Sequence, residues 1–339
     1  MKRLLLLLTF WFFILSGFAQ VVTIPDANFK AALLAHSPVI DLNSDGQIQV
    51  SEAVAFNGTM NVSSKSIANM TGVEEFINMK TLNCQSNQIT ILPTVGLSSL
   101  QNLWCTINKL TSLSVTNLAS LQTLYCGSNL LTSITLVNLP ALKELRCSDN
   151  KFTSLALNNL PALTIFDCYS NQLTSISLTN VNSLVSLSCS KNLLSTLPLT
   201  NVPQLKFLTC SFNQFTSLPL SNLNALTWLD CSNNQLSAIN LPNPGILGDL
   251  RCSKNQLTTL PGGLNSLSFL DCSFNQISTL SLNTYSFLSY VNFESNLCTS
   301  FSLSNKPQLT DIRCSNNLDR KSTRLNSSHP RLSRMPSSA

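Results

Sequence analysis

The sequence predicts a mostly β chain, a solenoid of short stacked coils with a parallel concave sheet and a small helical N-terminal cap. Three observations predict it. Cysteines recur every 21 residues from Cys84 to Cys252. An asparagine stands three residues after each of them, and an apolar residue stands two places before. That alternation of apolar and polar positions has the period of a strand and not of a helix.

Composition agrees. The chain has 339 residues, of which 44% are hydrophobic and 10% charged, against a typical charged share of about 25%. A disordered polyelectrolyte is excluded, because apolar material is plentiful and net charge small. The formal charge of +5 comes from the two ends; without Lys2, Arg3 and the residues after 318, the body carries 13 basic and 14 acidic residues. A body so balanced gives no footing for a nucleic-acid partner.

Residues 1–19, MKRLLLLLTFWFFILSGFA, place two cations before an apolar run and end on small residues. This is the layout of a secretory signal cleaved before Gln20, with a single-span anchor as the alternative. No later stretch is long enough to span a bilayer. The expectation is export, to the medium or a cell surface, of a monomer that does not cross the membrane.

The repeat spans residues 60–317. After Cys252 come Cys272, Phe293 in the next cysteine place, and Cys314. Asparagine holds its position in every copy from Asn87 to Asn317, giving twelve units of the form LxxLxCxxNxLTSLxLxNLxx. A strand this short cannot bury its apolar side alone, so copies stack and share one core. At about 4.8 Å per strand, twelve coils make a rod roughly 55 Å long. The outer half, LTSLxL, alternates too and is expected to form short extended segments and turns. The asparagine amide, donor and acceptor at once, can satisfy backbone groups where the chain turns inward and can link neighbouring coils.

The unit resembles a leucine-rich repeat with Cys in the third apolar place of the strand. Its length and outer half are similar to secreted bacterial repeats of the internalin kind, especially those of the Bacteroidetes group. The resemblance implies a curved solenoid whose concave sheet binds a protein or other macromolecule, and it does not imply an enzyme.

Eleven cysteines form one column, and Cys298 sits apart. In-register neighbours about 4.8 Å apart are within disulfide reach, but parallel side chains point the same way while a disulfide needs a dihedral near 90°. An odd column cannot pair fully, and Phe293 fits without disturbing the phase. The cysteines therefore read as small buried hydrophobes with inert thiols.

Residues 20–59 do not repeat. Asp26 to Ala35 has helical spacing with Asp26 as N-cap. Next, Asp41 to Glu52, DLNSDGQIQVSE, matches the twelve-residue calcium loop at each specified position. Asp41, Asn43 and Asp45 offer side-chain oxygens, Gln47 its carbonyl, and Glu52 a closing carboxylate, with Gln49 acting through water. Ca2+ is the expected cofactor, and the helix–loop–helix order resembles an EF-hand or dockerin loop. A vestigial cap that only seals the solenoid end is the alternative.

The outward strand positions carry the candidate ligand-binding residues. Trp104 and Tyr125, on adjacent coils, are expected to touch. Glu144, Arg146 and Asp167 follow as a charged ladder, with Tyr169 beside them. Phe207 and Trp228 form a second aromatic patch, and Phe269 and Tyr290 a third, separated from the second by Asp249; Arg251 lies on the same face. Large amphipathic rings on an open sheet suit binding hot spots, although cross-strand packing alone also explains them. The leading expectation is a protein or other macromolecular partner. A glycan-binding or surface-adhesion role is the alternative, and a surface spacer without a ligand is a third.

Catalysis has no candidate residues. His36 is the one histidine before the tail and lies in the cap, so no Ser-His-Asp or Cys-His set exists in the solenoid. The stretch 318–339, basic and serine-rich, breaks the repeat phase and is expected to be a disordered, non-native tail.

Overall fold

The computed structural model describes residues 20–302 and 306–318. The signal expectation on 1–19 and that on the tail from 319 lie outside these residues.

Thirteen three-residue parallel strands form one sheet, and each coil pairs with the next in sequence. Register is strict: Leu82 faces Leu103, which faces Leu124, so that like residues form columns. The sheet has one strand more than the twelve copies read from the repeat. Thr59–Asn61 pairs with Thr81–Asn83, and Met60 meets Leu82. Val62 fills the cysteine place of this first coil, and the Asn87 amide donates to its carbonyl at 2.9 Å.

The core runs the length of the stack. The leucine and cysteine columns are buried from end to end, and each Leu removed from water contributes about 1.5–3 kcal/mol. Phe293 replaces the missing cysteine and packs edge-on against Phe301, with ring centres 5.1 Å apart.

After each strand the chain turns through a left-handed residue two places past the cysteine, at Ser86, Ile107, Ser128 and onward to Asn316. The asparagine that follows ties the turn. The Asn150 Oδ1 accepts the Leu131 N–H of the preceding coil, while its Nδ2 donates to the carbonyls of Cys126, Cys147 and Ser148. The expected inter-coil role of this column is what the structure shows.

On the convex side, Ser112–Thr116 pairs with Ser133–Val137, Ser154–Asn158 with Ser175–Thr179, and Thr279–Ser281 with Ser300–Ser302. Pro198, Pro219 and Pro261 stand in three of the four copies between Thr179 and Thr279, where a missing N–H disfavours a ladder.

The cap holds two helices, Ala27–Leu34 and Val50–Ala55. Asp26 does two jobs. Its Oδ1 accepts the Phe29 N–H as an N-cap, and its Oδ2 accepts the N–H groups of Ala68 and Asn69, joining cap to solenoid. Partial burial opposes ionisation, but these N–H groups outweigh it and hold the carboxyl below its usual range. His36 is structural: its Nδ1 donates to the Pro38 carbonyl, and its Nε2 accepts the Asn61 N–H at the end of the first strand.

Candidate functional site: the concave face

Two outward positions on each strand make two rows along the solenoid. One row runs Phe207, Trp228, Asp249, Phe269, Tyr290, Asp311, and the other runs Asp230, Arg251, Asp271, Asn292, Arg313. Neighbours within a row sit on adjacent strands, so side chains far apart in sequence stack along the axis.

In the N-terminal part, Trp104 and Tyr125 stack with ring centres 6.2 Å apart and planes 14° off parallel. The Trp104 indole donates to Thr123 Oγ1. The Tyr125 hydroxyl donates to Glu144 Oε2 at 2.6 Å. Burial, reinforced by this bond, pushes the phenol above its ordinary range. Glu144 also pairs with Arg146, whose guanidinium lies 5.4 Å from the centre of the Tyr125 ring. The expected contact and the start of the charged ladder are thus one network. Asp167 is turned elsewhere: its Oδ1 accepts the Tyr169 N–H and shapes the end of its own strand. Tyr169 carries the Lys191 ammonium over its ring at 5.1 Å.

The C-terminal part departs from expectation. Asp249 does not separate two aromatic patches. It binds Arg251 through both oxygens, at 3.1 and 3.2 Å, and aims the guanidinium between two rings, 4.7 Å from the Trp228 centre and 4.5 Å from that of Phe269. Phe269 and Tyr290 then stack at 4.3 Å, 4° from parallel, and Arg313 lies over Tyr290 at 5.6 Å. The result is one continuous array, Trp228–Arg251–Phe269–Tyr290–Arg313. Phe207 is the register partner of Trp228 and remains 44% exposed. Asp230 and Asp271, like Asp167, cap their own turns through Ser232 and Ser273.

Behind the face, the twelve cysteines are buried, and the ten column thiols from Cys84 to Cys272 are free. Burial pushes the thiols of Cys84, Cys126 and Cys189 up to about 12, so thiolate chemistry is suppressed.

In the cap, the loop 41–52 closes on itself. Asp41 accepts the N–H groups of Asp45 and Gly46, Asn43 Oδ1 accepts Asp45 N–H, and Asp45 Oδ1 accepts Gln47 N–H. Gly46 has φ +77°, a left-handed turn that suits glycine. Glu52 accepts from Leu42 and Gln49 through its two oxygens. Among the described residues, no three His, Cys, Asp or Glu side chains are close enough to hold a metal ion.

A thirteen-stranded parallel concave sheet, backed by leucine, asparagine and cysteine columns, defines a leucine-rich repeat protein. No protein-family profile matches the sequence, and no curated protein does. Among solved structures, the chain is similar to the functional domain of InlJ from Listeria monocytogenes, which itself includes a cysteine ladder. The two are 26% identical with a TM-score of 0.68, over 88% of this chain and 71% of that one. It is also similar to YopM, a leucine-rich effector from Yersinia pestis, at 25% identity and TM-score 0.65, over 77% and 78% of the two chains. A leucine-rich repeat protein of Leptospira interrogans matches at 26% and 0.63, over 77% and 76%. The chain has the fold of these bacterial proteins. Among the described residues no helix is long and apolar enough to cross a membrane.

Proposed function

We propose that this chain is an exported, monomeric binding protein that takes a protein partner on its concave face. The observation that carries the reading is the array from Trp228 to Arg313, which sets rings and guanidiniums, the side chains richest in interface energy, on the outward rows of a rigid sheet. Leader-like residues 1–19 support export.

The stacking also weighs against the glycan alternative. Sugar stacking needs an open ring face, whereas Trp228, Phe269 and Tyr290 have faces covered by Arg251, Arg313 and one another.

The test is photocrosslinking from benzoylphenylalanine at position 207 and, separately, at Ser177 on the convex side. Covalent adducts from 207 alone support the reading, and adducts from 177 alone or from both equally contradict it.

The same reading gives the cap a calcium ion held by Asp41, Asn43, Asp45, the Gln47 carbonyl and Glu52. The donors are all oxygen, which suits a hard cation. Binding would require Glu52 to release the N–H groups of Leu42 and Gln49. Calorimetric titration should show weak binding, roughly micromolar to millimolar, abolished by Asp41→Ala; no heat and no gain in melting temperature would remove calcium from the account.

A further inference from the structure

From Trp228 to Arg313, the outward strand positions and the residue after each cysteine place carry Asp230, Asp249, Asp271, Glu294 and Asp311 against only Arg251 and Arg313. This half of the face is therefore acidic. Asp249 is committed to Arg251 through both oxygens. Asp230 and Asp271 each spend Oδ1 on their own turn, and among the described residues no donor meets the other oxygen. The rim before these strands, Thr227, Gly248, Ser268, Ser289 and Thr310, is uncharged; on the rim after them Lys254 lies over Phe274, and Arg251 stands between Asp230 and Asp271 in register.

The rings of this half already hold cations. Arg251 sits between Trp228 and Phe269, and Arg313 lies over Tyr290, the geometry in which an aromatic face attracts a guanidinium or ammonium. Acidic groups thus share one strip with rings whose faces the chain's own cations already occupy, leaving the ring edges to a partner.

We infer that this half of the concave face docks a peptide segment in the polyproline II conformation bearing cations three residues apart. The inference rests on the concave-binding reading and names its partner's chemistry. The spacing follows from two repeats. Asp230 and Asp271 are two strands apart, about 9.6 Å at about 4.8 Å per strand, and one three-residue turn of polyproline II rises about 9.3 Å and returns every third side chain to the same face. A segment lying along the axis therefore brings successive Lys or Arg side chains to the two carboxylates, with their stems against the ring edges.

Fluorescence anisotropy with the full chain tests this. The probes are two labelled nonapeptides, three repeats of Lys-Ser-Gly and three of Glu-Ser-Gly. The lysine peptide should bind saturably, at least about tenfold more tightly than the glutamate peptide, and weaken about tenfold or more between about 50 and about 500 mM salt. Asp230→Asn with Asp271→Asn should cost about tenfold in affinity. Asn keeps the Oδ1 that caps the turn, as Asn83 and Asn292 do in the same row, so the fold should persist. Ser177→Ala, exposed on the convex side, should change nothing. No saturable binding, equal binding of the two peptides, or indifference to the double substitution overturns the inference. A partner that crosslinks from position 207 but ignores these charges would overturn it and leave the concave reading standing. Crosslinking from Ser177 instead would remove both.

Discussion

The Nδ2 of Asn150 donates to the carbonyl of Cys126, 24 residues earlier and one coil away, at 3.1 Å. The same amide serves the Leu131 N–H and two carbonyls of its own coil. Asn150→Ala leaves these buried groups unpaired at the boundary between coils. Denaturant unfolding should show a loss of about 2–4 kcal/mol, and a loss under about 1 kcal/mol would mean that water or backbone shifts replace the amide.

Ile107 occupies the left-handed turn position at φ +58°, where a β-branched residue is strained. Its side chain is 57% exposed, so burial does little to offset the cost. Asn233 and Asn316 hold the equivalent place in other coils. Ile107→Asn should stabilise the protein by about 1 kcal/mol, read as a higher denaturation midpoint; an unchanged or lower midpoint would contradict the strain argument.

The buried thiols predict a pH dependence with a definite sign. In the unfolded chain a cysteine ionises near about 8.5, whereas in the fold burial pushes Cys126 up to about 12 and holds Cys147 and Cys168 well above the usual thiol range. Their contribution is fully present below the unfolded value and is lost as pH rises toward the folded one. Each such thiol adds a slope of about 1.4 kcal/mol per pH unit in that window. Thermal melts should therefore fall steeply above roughly pH 9, and less steeply when Cys126, Cys147 and Cys168 are replaced by Ala. Equal slopes would contradict thiol burial as the cause.

What was legible in the sequence followed from repetition. Strand positions, the asparagine ties and the cysteine column each recur at one spacing, so an error in one copy is corrected by the rest. The first coil escaped because Val62 and Lys65 replace its cysteine and asparagine; its trace is TMNVSS, 22 residues before TLNCQS. The bridging position of Arg251 escaped for a different reason. Its backbone lies in the row of Asp230 and Asp271, but its long side chain crosses to the neighbouring row and closes the gap between Trp228 and Phe269. Register alone does not say where a flexible guanidinium ends. Asp167 was expected in the charged ladder and instead shapes its own turn, because a two-residue turn bond leaves no periodic mark. In the cap, helix, loop and helix were legible, but the pairing of Glu52 with Leu42 and Gln49 depends on side-chain rotation.

The concave face keeps its geometry only if the coils behind it close on a dry spine of free thiols. Thiol titration without reductant, before and after unfolding in denaturant, tests that most directly. Almost no reactive thiol in the native protein and at least the ten of the column from Cys84 to Cys272 in the unfolded chain is the expected result. Rapid native labelling, or a markedly smaller number after unfolding, would show exposed or disulfide-bonded cysteines and contradict the stacked core.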